Sequence, residues 1–99
     1  MKLRITPTQI LFRISLQELN KLKNHQLLED KLSFSKIIFV YGIYIALTAE
    51  ILSLSYKPDG LKLFVPEKEF RTFVNNHSLY YKNNSVIYGI EVDKGRCHV

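Results

Sequence analysis

The sequence of 99 residues is poor in cysteine and lacks the short motifs that mark common enzymes. Its single cysteine, Cys97, cannot form an internal disulfide bond and agrees with a reducing compartment. Glycine-rich phosphate loops are absent, as are the GxSxG, HExxH and CxxC motifs. The amino-terminal residues contain no apolar signal segment, because Arg4 and Arg13 interrupt every candidate. We therefore expect a cytoplasmic protein without a cofactor and without an enzymatic activity.

The net charge and the length of the chain further limit the class of protein. The net charge of +5 and the pI of about 9.4 permit binding to nucleic acid or acidic lipid without requiring it. A hydrophobic content of 46% is high enough for the chain to fold around a core. A chain of this length forms one domain, and the sequence shows no internal repeat or linker.

The longest apolar run lies in residues 37–56, which carry one charge, Glu50. A run of this length could cross a bilayer as a helix. Its β-branched and aromatic residues favour strands instead, and Leu and Ser alternate after residue 51 with the period of a strand. The sequence therefore predicts two strands separated by a turn near Leu47 to Glu50, the first buried on both faces and the second on one. Gly42, inside the first strand, indicates a bulge or a close approach of two backbones.

The first part of the chain predicts a hairpin followed by a helix. Residues 2–5 and 10–14 alternate on either side of a turn, with five apolar side chains directed to the core: Leu3, Ile5, Ile10, Phe12 and Ile14. Ser15 and Glu18 have the spacing of a capping box, which predicts the start of a helix. We expect Asn24 to end this helix and three leucines to face the core: Leu16, Leu19 and Leu22.

The remaining elements follow from similar signals. Residues 27–34 predict a short strand, and the turn at residues 57–60 leads to a returning strand over residues 61–65. Pro66 begins a second helix, in which Phe70, Phe73 and Val74 face inward. A last hairpin joins residues 79–82 to residues 85–92. The fold class is therefore α+β: a single domain over residues 1–99, with an antiparallel meander sheet or open barrel of about six to eight strands and two short helices.

The carboxyl-terminal residues contain the candidates for catalysis or metal binding. Glu91 and Asp93 are two residues apart, so on a strand they share one face and could act as a pair of carboxylates. Cys97 and His98 are a weak candidate metal pair, because neighbouring residues point to opposite sides. Residues 93–99 show no pattern and are expected to form a mobile tail. Solvated charges at a strand end explain the same residues without any catalytic role.

A basic face is the candidate for nucleic-acid binding. Lys2, Arg4 and Arg13 fall on the outer face of the predicted first hairpin. Basic groups beside aromatic side chains can bind single-stranded nucleic acid. No known nucleic-acid-binding motif accompanies them, and a solvated sheet face has the same composition.

The order of these pieces resembles a family of small bacterial proteins of unknown function. The resemblance rests on KLRI, LFRISLQEL, LLEDKLSF, LSLSYKPDGLKLFVP and YGIEVDKGRC, which together span nearly the whole chain. Members typically begin KxRI, carry a second helix that begins with VP, and end in IEKD-x-x-C. Glu91, Asp93 and Cys97 correspond to the Glu, Asp and Cys of the closing motif, although three residues and not two separate Asp93 from Cys97. Val92 departs from the motif. The resemblance implies a stand-alone cytosolic domain without an assigned activity.

These observations favour a non-enzymatic binding domain that contacts a protein partner, or a second copy of itself, through an exposed sheet edge. The first alternative is a weak binder of single-stranded nucleic acid that uses Lys2, Arg4 and Arg13. The second is an enzyme or metal site that uses the carboxyl-terminal Glu, Asp and Cys residues.

The nucleic-acid alternative can be tested by salt dependence. If the basic face binds a single-stranded oligonucleotide, affinity should fall steeply with salt, because each phosphate contact releases about 0.7 counterion. Replacing Arg4 and Arg13 by Ala should then flatten the slope by roughly one to two units. Fluorescence anisotropy would measure both. The preferred interpretation expects no binding at physiological salt, and tight, salt-sensitive binding lost in the double variant would reverse it.

Overall fold

The computed structural model of the chain describes residues 1–93. Within this range the elements are β1 (Lys2–Thr6), β2 (Gln9–Ile14), α1 (Leu16–His25), β3 (Leu27–Phe34), β4 (Ile37–Ala46), β5 (Ser53–Lys57), β6 (Gly60–Pro66), α2 (Glu67–Asn76), β7 (Ser78–Asn83) and β8 (Val86–Val92). The α+β class and the two helices predicted from the sequence are confirmed, and the eight strands lie within the predicted range of about six to eight.

The strands form two mixed sheets and no closed barrel in the described part of the chain. Sheet A has the order β1-β2-β8-β7 and sheet B has the order β3-β4-β6-β5. All four hairpins are antiparallel, including the three predicted from the sequence, β1–β2, β5–β6 and β7–β8. In contrast, β2 pairs with β8 and β4 pairs with β6 in parallel. The strands therefore do not form a single meander. Helix α1 separates the β1–β2 hairpin of sheet A from the β3–β4 hairpin of sheet B, and helix α2 separates the β5–β6 hairpin of sheet B from the β7–β8 hairpin of sheet A.

The chain consists of two halves with the same order of elements, which the sequence analysis did not detect. Each half is a hairpin, a helix and a second hairpin. A shift of 51 residues relates β1, β2, α1 and β3 to β5, β6, α2 and β7, and a shift of 47 relates β4 to β8. The strand pairing agrees with these shifts. Phe12 pairs with Ile90 in sheet A, and their equivalents in the other half, Leu63 and Ile43, pair with each other in sheet B. The repeat was missed because few equivalent residues are identical, among them Pro7 and Pro58.

Helix α1 begins as predicted and ends two residues later than predicted. The Ser15 hydroxyl accepts a hydrogen bond from the Glu18 backbone N–H, and the Glu18 carboxylate accepts one from the Ser15 N–H. The left-handed residue at the end is Gln26, with φ of 63°, and not Asn24. Its N–H donates to the Leu22 carbonyl and closes the last turn.

The helices cover the core with the predicted side chains, apart from Leu16. Leu19 and Leu22 are buried, but Leu16 is 53% exposed because it lies in the first turn, away from the sheets. Helix α2 begins after Pro66, and its Phe73 is completely buried. These side chains join one hydrophobic cluster with residues from both sheets, including Phe12, Leu63 and Ile90.

The apolar run of residues 37–56 forms the two predicted strands, β4 and β5. No helix in residues 1–93 is long and apolar enough to cross a membrane. The prediction that the first strand is buried on both faces is wrong: Ile43 is buried, but Ile37 and Ile38 are more than half exposed. The reason is length, since β3 and β4 form eight pairs whereas β7 and β8 form six, and the end of the longer hairpin extends past the core.

Phe73 provides a test of this core. Replacing Phe73 by Ala removes a completely buried ring and should lower the free energy of unfolding by about 3–5 kcal/mol. Domains of this size have about 5–10 kcal/mol in total, so urea unfolding should shift clearly. Thr72→Ala, at an exposed neighbouring position of the same helix, is the control. Equal stability of the two variants would contradict the burial of Phe73.

Candidate functional site

The structure brings the predicted basic residues and the predicted carboxylates together on one surface. On the outer face of sheet A, Lys2 of β1 lies opposite Arg13 of β2, and Arg13 lies opposite Glu91 of β8. Arg4 lies two residue pairs further along β1, opposite Leu11. Asp93 follows β8, and its N–H donates to the Ile14 carbonyl. Cys97 and His98 lie outside the described residues.

Glu91 is the centre of this surface. The Arg13 Nε donates to Glu91 Oε1 at 2.6 Å, and the Tyr80 hydroxyl donates to Glu91 Oε2 at 2.5 Å. Hydrogen bonds from Tyr80 and then from Arg13 lower the pKa of Glu91. The same bond to Glu91, with some burial, raises the pKa of Tyr80. The carboxylate therefore stays charged near neutral pH, with both oxygens already bound by donors.

This arrangement is suited to structural support more than to acid–base catalysis. A general base needs a pKa near the working pH, and the hydrogen bonds from Tyr80 and Arg13 move the pKa of Glu91 further below neutral pH. The Lys2 Nζ lies 3.8 Å from Asp93 Oδ2, so a second cation of the surface also faces a carboxylate. Within residues 1–93 no three His, Cys, Asp or Glu side chains are grouped as metal ligands would be.

A polar depression of about 380 Å³ surrounds Glu91. It is lined by Arg13, Asn76, His77, Ser78, Tyr80, Glu91, Val92 and Asp93. Its floor is β8 and its rim is the end of α2. The predicted carboxylate pair thus lies in a shallow cleft. Its carboxylates already face cations of the protein, since Glu91 pairs with Arg13 and Asp93 lies near Lys2.

Sheet B contains a matching pair of residues that sequence reasoning missed. The Tyr44 hydroxyl donates a hydrogen bond to Glu29. Tyr44 occupies the position equivalent to Glu91, and Glu29 occupies the position equivalent to Tyr80, so the tyrosine and the glutamate lie on exchanged strands in the two sheets. Tyr44 also stacks on Phe64, with ring centroids 5.5 Å apart. Phe64 occupies the position equivalent to Arg13, and the cation beside the second pair is instead Lys62, whose Nζ lies 5.6 Å from the centre of the Tyr44 ring. The sequence signal was the tripeptide Tyr-Gly-Ile, which occurs in both central strands, at residues 41–43 and 88–90.

These two glycines explain why the pairs are possible. A Cβ atom on Gly89 would lie 2.9 Å from the Tyr80 ring and 2.1 Å from the Leu79 carbonyl oxygen. A Cβ atom on Gly42 would lie 2.9 Å from the Leu28 carbonyl oxygen. The close backbone approach predicted at Gly42 is confirmed. Each glycine lets a cross-strand side chain lie flat over the sheet.

A second surface is apolar and lies on the inner face of β1, whereas the polar cluster around Glu91 lies on the outer face of sheet A. The inner-face side chains of β1 and the projecting end of the β3–β4 hairpin form an open groove of about 480 Å³. We call this the apolar groove; it is lined by Leu3, Ile5, Leu32, Ile37, Phe39, Tyr41 and Pro58. Ile5, predicted to lie in the core, is 59% exposed, because the two sheets diverge at this edge. Leu32 and Ile37 are similarly exposed, at 53% and 55%.

The fold and these surfaces define a small α+β domain, built from two equivalent halves, with a paired polar cluster on one face and an apolar groove at one edge. Residues 1–93 match the model of a family of unknown function, DUF7009, and the chain belongs to that family. No curated protein and no solved structure matches the chain.

The role of Tyr80 can be tested through the pKa of Glu91. In the Tyr80→Phe variant the main hydrogen bond that lowers this pKa is lost, so the pKa should rise toward its ordinary value. Because the folded pKa is lowered, Glu91 stabilises the fold above its unfolded pKa of about 4.3. That stabilisation disappears as the pH falls through the folded pKa. NMR titration of the Glu91 side-chain carboxyl carbon measures the shift.

Tyr81→Phe is the matched control, since Tyr81 is the next residue of β7 and contacts the Tyr88 ring on the other face. It should leave the titration of Glu91 unchanged. If Tyr80→Phe also left it unchanged, the hydroxyl would not be bound to Glu91 in solution.

Proposed function

We propose that the chain is a non-enzymatic binding domain of the cytoplasm that contacts a protein partner through an exposed sheet edge. The observation that carries this proposal is the apolar groove beside β1. Ile5, Leu32 and Ile37 in its lining are more than half exposed although they are large and apolar. Contiguous apolar surface of this kind is typical of interaction sites. An edge strand beside such a groove offers backbone hydrogen bonds and apolar contacts to the same partner.

The end of the β3–β4 hairpin supports the proposal, because its exposed isoleucines contribute little to the core. The two extra residue pairs at the end of the β3–β4 hairpin place Ile37 and Ile38 beyond the core. The equivalent hairpin β7–β8 folds without them. Exposed isoleucines that the fold does not need are explained if a partner covers them.

The polar cluster supports the non-enzymatic assignment. Glu91, the first of the candidate catalytic carboxylates, has both oxygens bound by Arg13 and Tyr80. The same pairing weakens the nucleic-acid alternative, because the Arg13 guanidinium already faces an anion and Lys2 lies near Asp93. An anion would have to compete with these carboxylates.

Site-specific photocrosslinking in cells tests the proposal. A benzoylphenylalanine at position 5, in the groove, should give a discrete covalent adduct with a partner. The adduct should disappear when Ile37→Ser is added, because the partner loses an apolar contact. Gel electrophoresis and mass spectrometry detect the product.

The control is the same photoreactive residue at position 56, which corresponds to position 5 in the second half. Tyr56 is exposed but has no projecting hairpin beside it. Equal adducts at both positions, or none at position 5, would contradict the proposal. Both variants should retain the wild-type melting temperature, because Ile5 and Tyr56 are more than half exposed.

A further inference from the structure

The edge of sheet A beside the apolar groove has two chemically different faces. Strand β1 has one neighbour in the sheet, β2, so its other side is an open edge within the described residues. Its inner face carries Leu3 and Ile5, which line the groove. Its outer face carries Lys2 and Arg4, both exposed. Arg4 forms no ion pair with any residue among 1–93.

A strand that pairs with β1 would meet both faces at once. Successive side chains of a strand point to opposite faces, so alternate residues of the added strand would enter the groove and the others would lie beside Lys2 and Arg4. The groove favours apolar residues, because its lining is apolar apart from the Tyr41 hydroxyl. The outer face of β1 favours acidic residues, because the exposed Arg4 forms no ion pair among residues 1–93. Lys2 is 77% exposed and reaches Asp93 only at 3.8 Å, so it can also face an acidic residue of the added strand.

We propose that the partner of this edge is an extended segment in which acidic and apolar residues alternate, added to sheet A as a fifth strand on β1. This inference rests on the proposed function and specifies the chemistry of the partner. Since β1 has five residues, a segment of about five to seven residues would cover it. Backbone pairing supplies affinity, and the alternation supplies selectivity.

The other half of the molecule serves as an internal comparison. Strand β5 corresponds to β1, but Ser53 and Ser55 stand where β1 has Lys2 and Arg4. The hairpin beside β5 is two pairs shorter, so no residue corresponds to the projecting Ile37. The outer face of β5 does carry Lys57, and Lys62 of β6 lies opposite Ser55. What the open edge of β5 lacks is the projecting hairpin end that forms the apolar groove beside β1.

The remaining edges are also less suited to a partner strand. On β3 the Lys31 N–H already donates to the Asp30 carboxylate at 2.9 Å, and Glu29 and Lys31 offset one another in charge. On β7 the outer-face Tyr80 is bound to Glu91. Among the four edges of the two sheets, β1 combines a uniform charge on one face with an apolar cleft on the other.

Fluorescein-labelled synthetic peptides test the inference on the full chain. The probe is a capped heptapeptide in which Glu alternates with Val or Ile. A block peptide of the same composition, with all Glu residues first, is the control. The alternating peptide should bind more tightly, and its affinity should fall with salt. In ¹⁵N NMR spectra the amide shifts should change along β1 and in the groove, and not along β5.

Charge reversal makes the test specific. In the Lys2→Glu/Arg4→Glu variant the affinity for the Glu peptide should fall by roughly five- to tenfold, and an alternating Lys peptide should gain affinity. Lys68→Glu, on helix α2, should change neither affinity. Ile5→Ser should weaken binding while leaving the salt dependence in place, because it removes an apolar contact only.

Equal binding of the alternating and block peptides, or shift changes along β5, would overturn the inference. So would a dimer that dissociates in Ile5→Ser and binds no peptide, since the edge would then belong to a second copy of the chain. These results are distinguishable from failure of the proposed function. A crosslinked partner at position 5 together with no affinity for the Glu peptide would refute the acidic chemistry alone.

Discussion

The parallel pairing of β2 with β8 and of β4 with β6 holds the two halves together. Each sheet takes one hairpin from the first half and one from the second, so neither half can complete a sheet alone. The core shows the same dependence, because Phe12 and Leu22 of the first half pack in one cluster with Leu63 and Phe73 of the second. A substitution that removes a buried side chain from either half therefore destabilises the whole domain.

The two halves have diverged most on their outer faces and at their hairpin ends. Inside, apolar residues replace one another at equivalent positions, as Phe12 and Leu63 do. Outside, Arg13 corresponds to Phe64, which turns a charged cluster on sheet A into an aromatic one on sheet B. Such freedom is expected where packing does not restrict the side chain. Binding properties can thus differ between two faces that share one backbone.

Local features of the fold followed from the sequence because local interactions determine them. The capping box of Ser15 and Glu18 and the strand of residues 27–34 depend on neighbours within a few positions. The inward position of Phe73 followed from the spacing of apolar residues along its own helix, although its burial involves both sheets. The pairing of β2 with β8 could not be predicted, because periodicity shows which face of a strand is apolar and does not identify the neighbouring strand. The cluster of Arg13, Tyr80 and Glu91 was missed for that reason. Ile5 was misplaced because alternation does not show where two sheets separate.

The separation of β2 from β8 along the chain also affects how the domain forms. The Arg13–Glu91 pair joins residues 78 positions apart. Contacts between distant residues form slowly, because closing the long loop between them costs conformational entropy before the contact contributes any stabilisation. During synthesis, the first hairpin is complete long before its parallel neighbour leaves the ribosome. Until residue 92 has emerged, both sides of that hairpin are open edges, and the nascent chain depends on its charged side chains to avoid pairing with other chains.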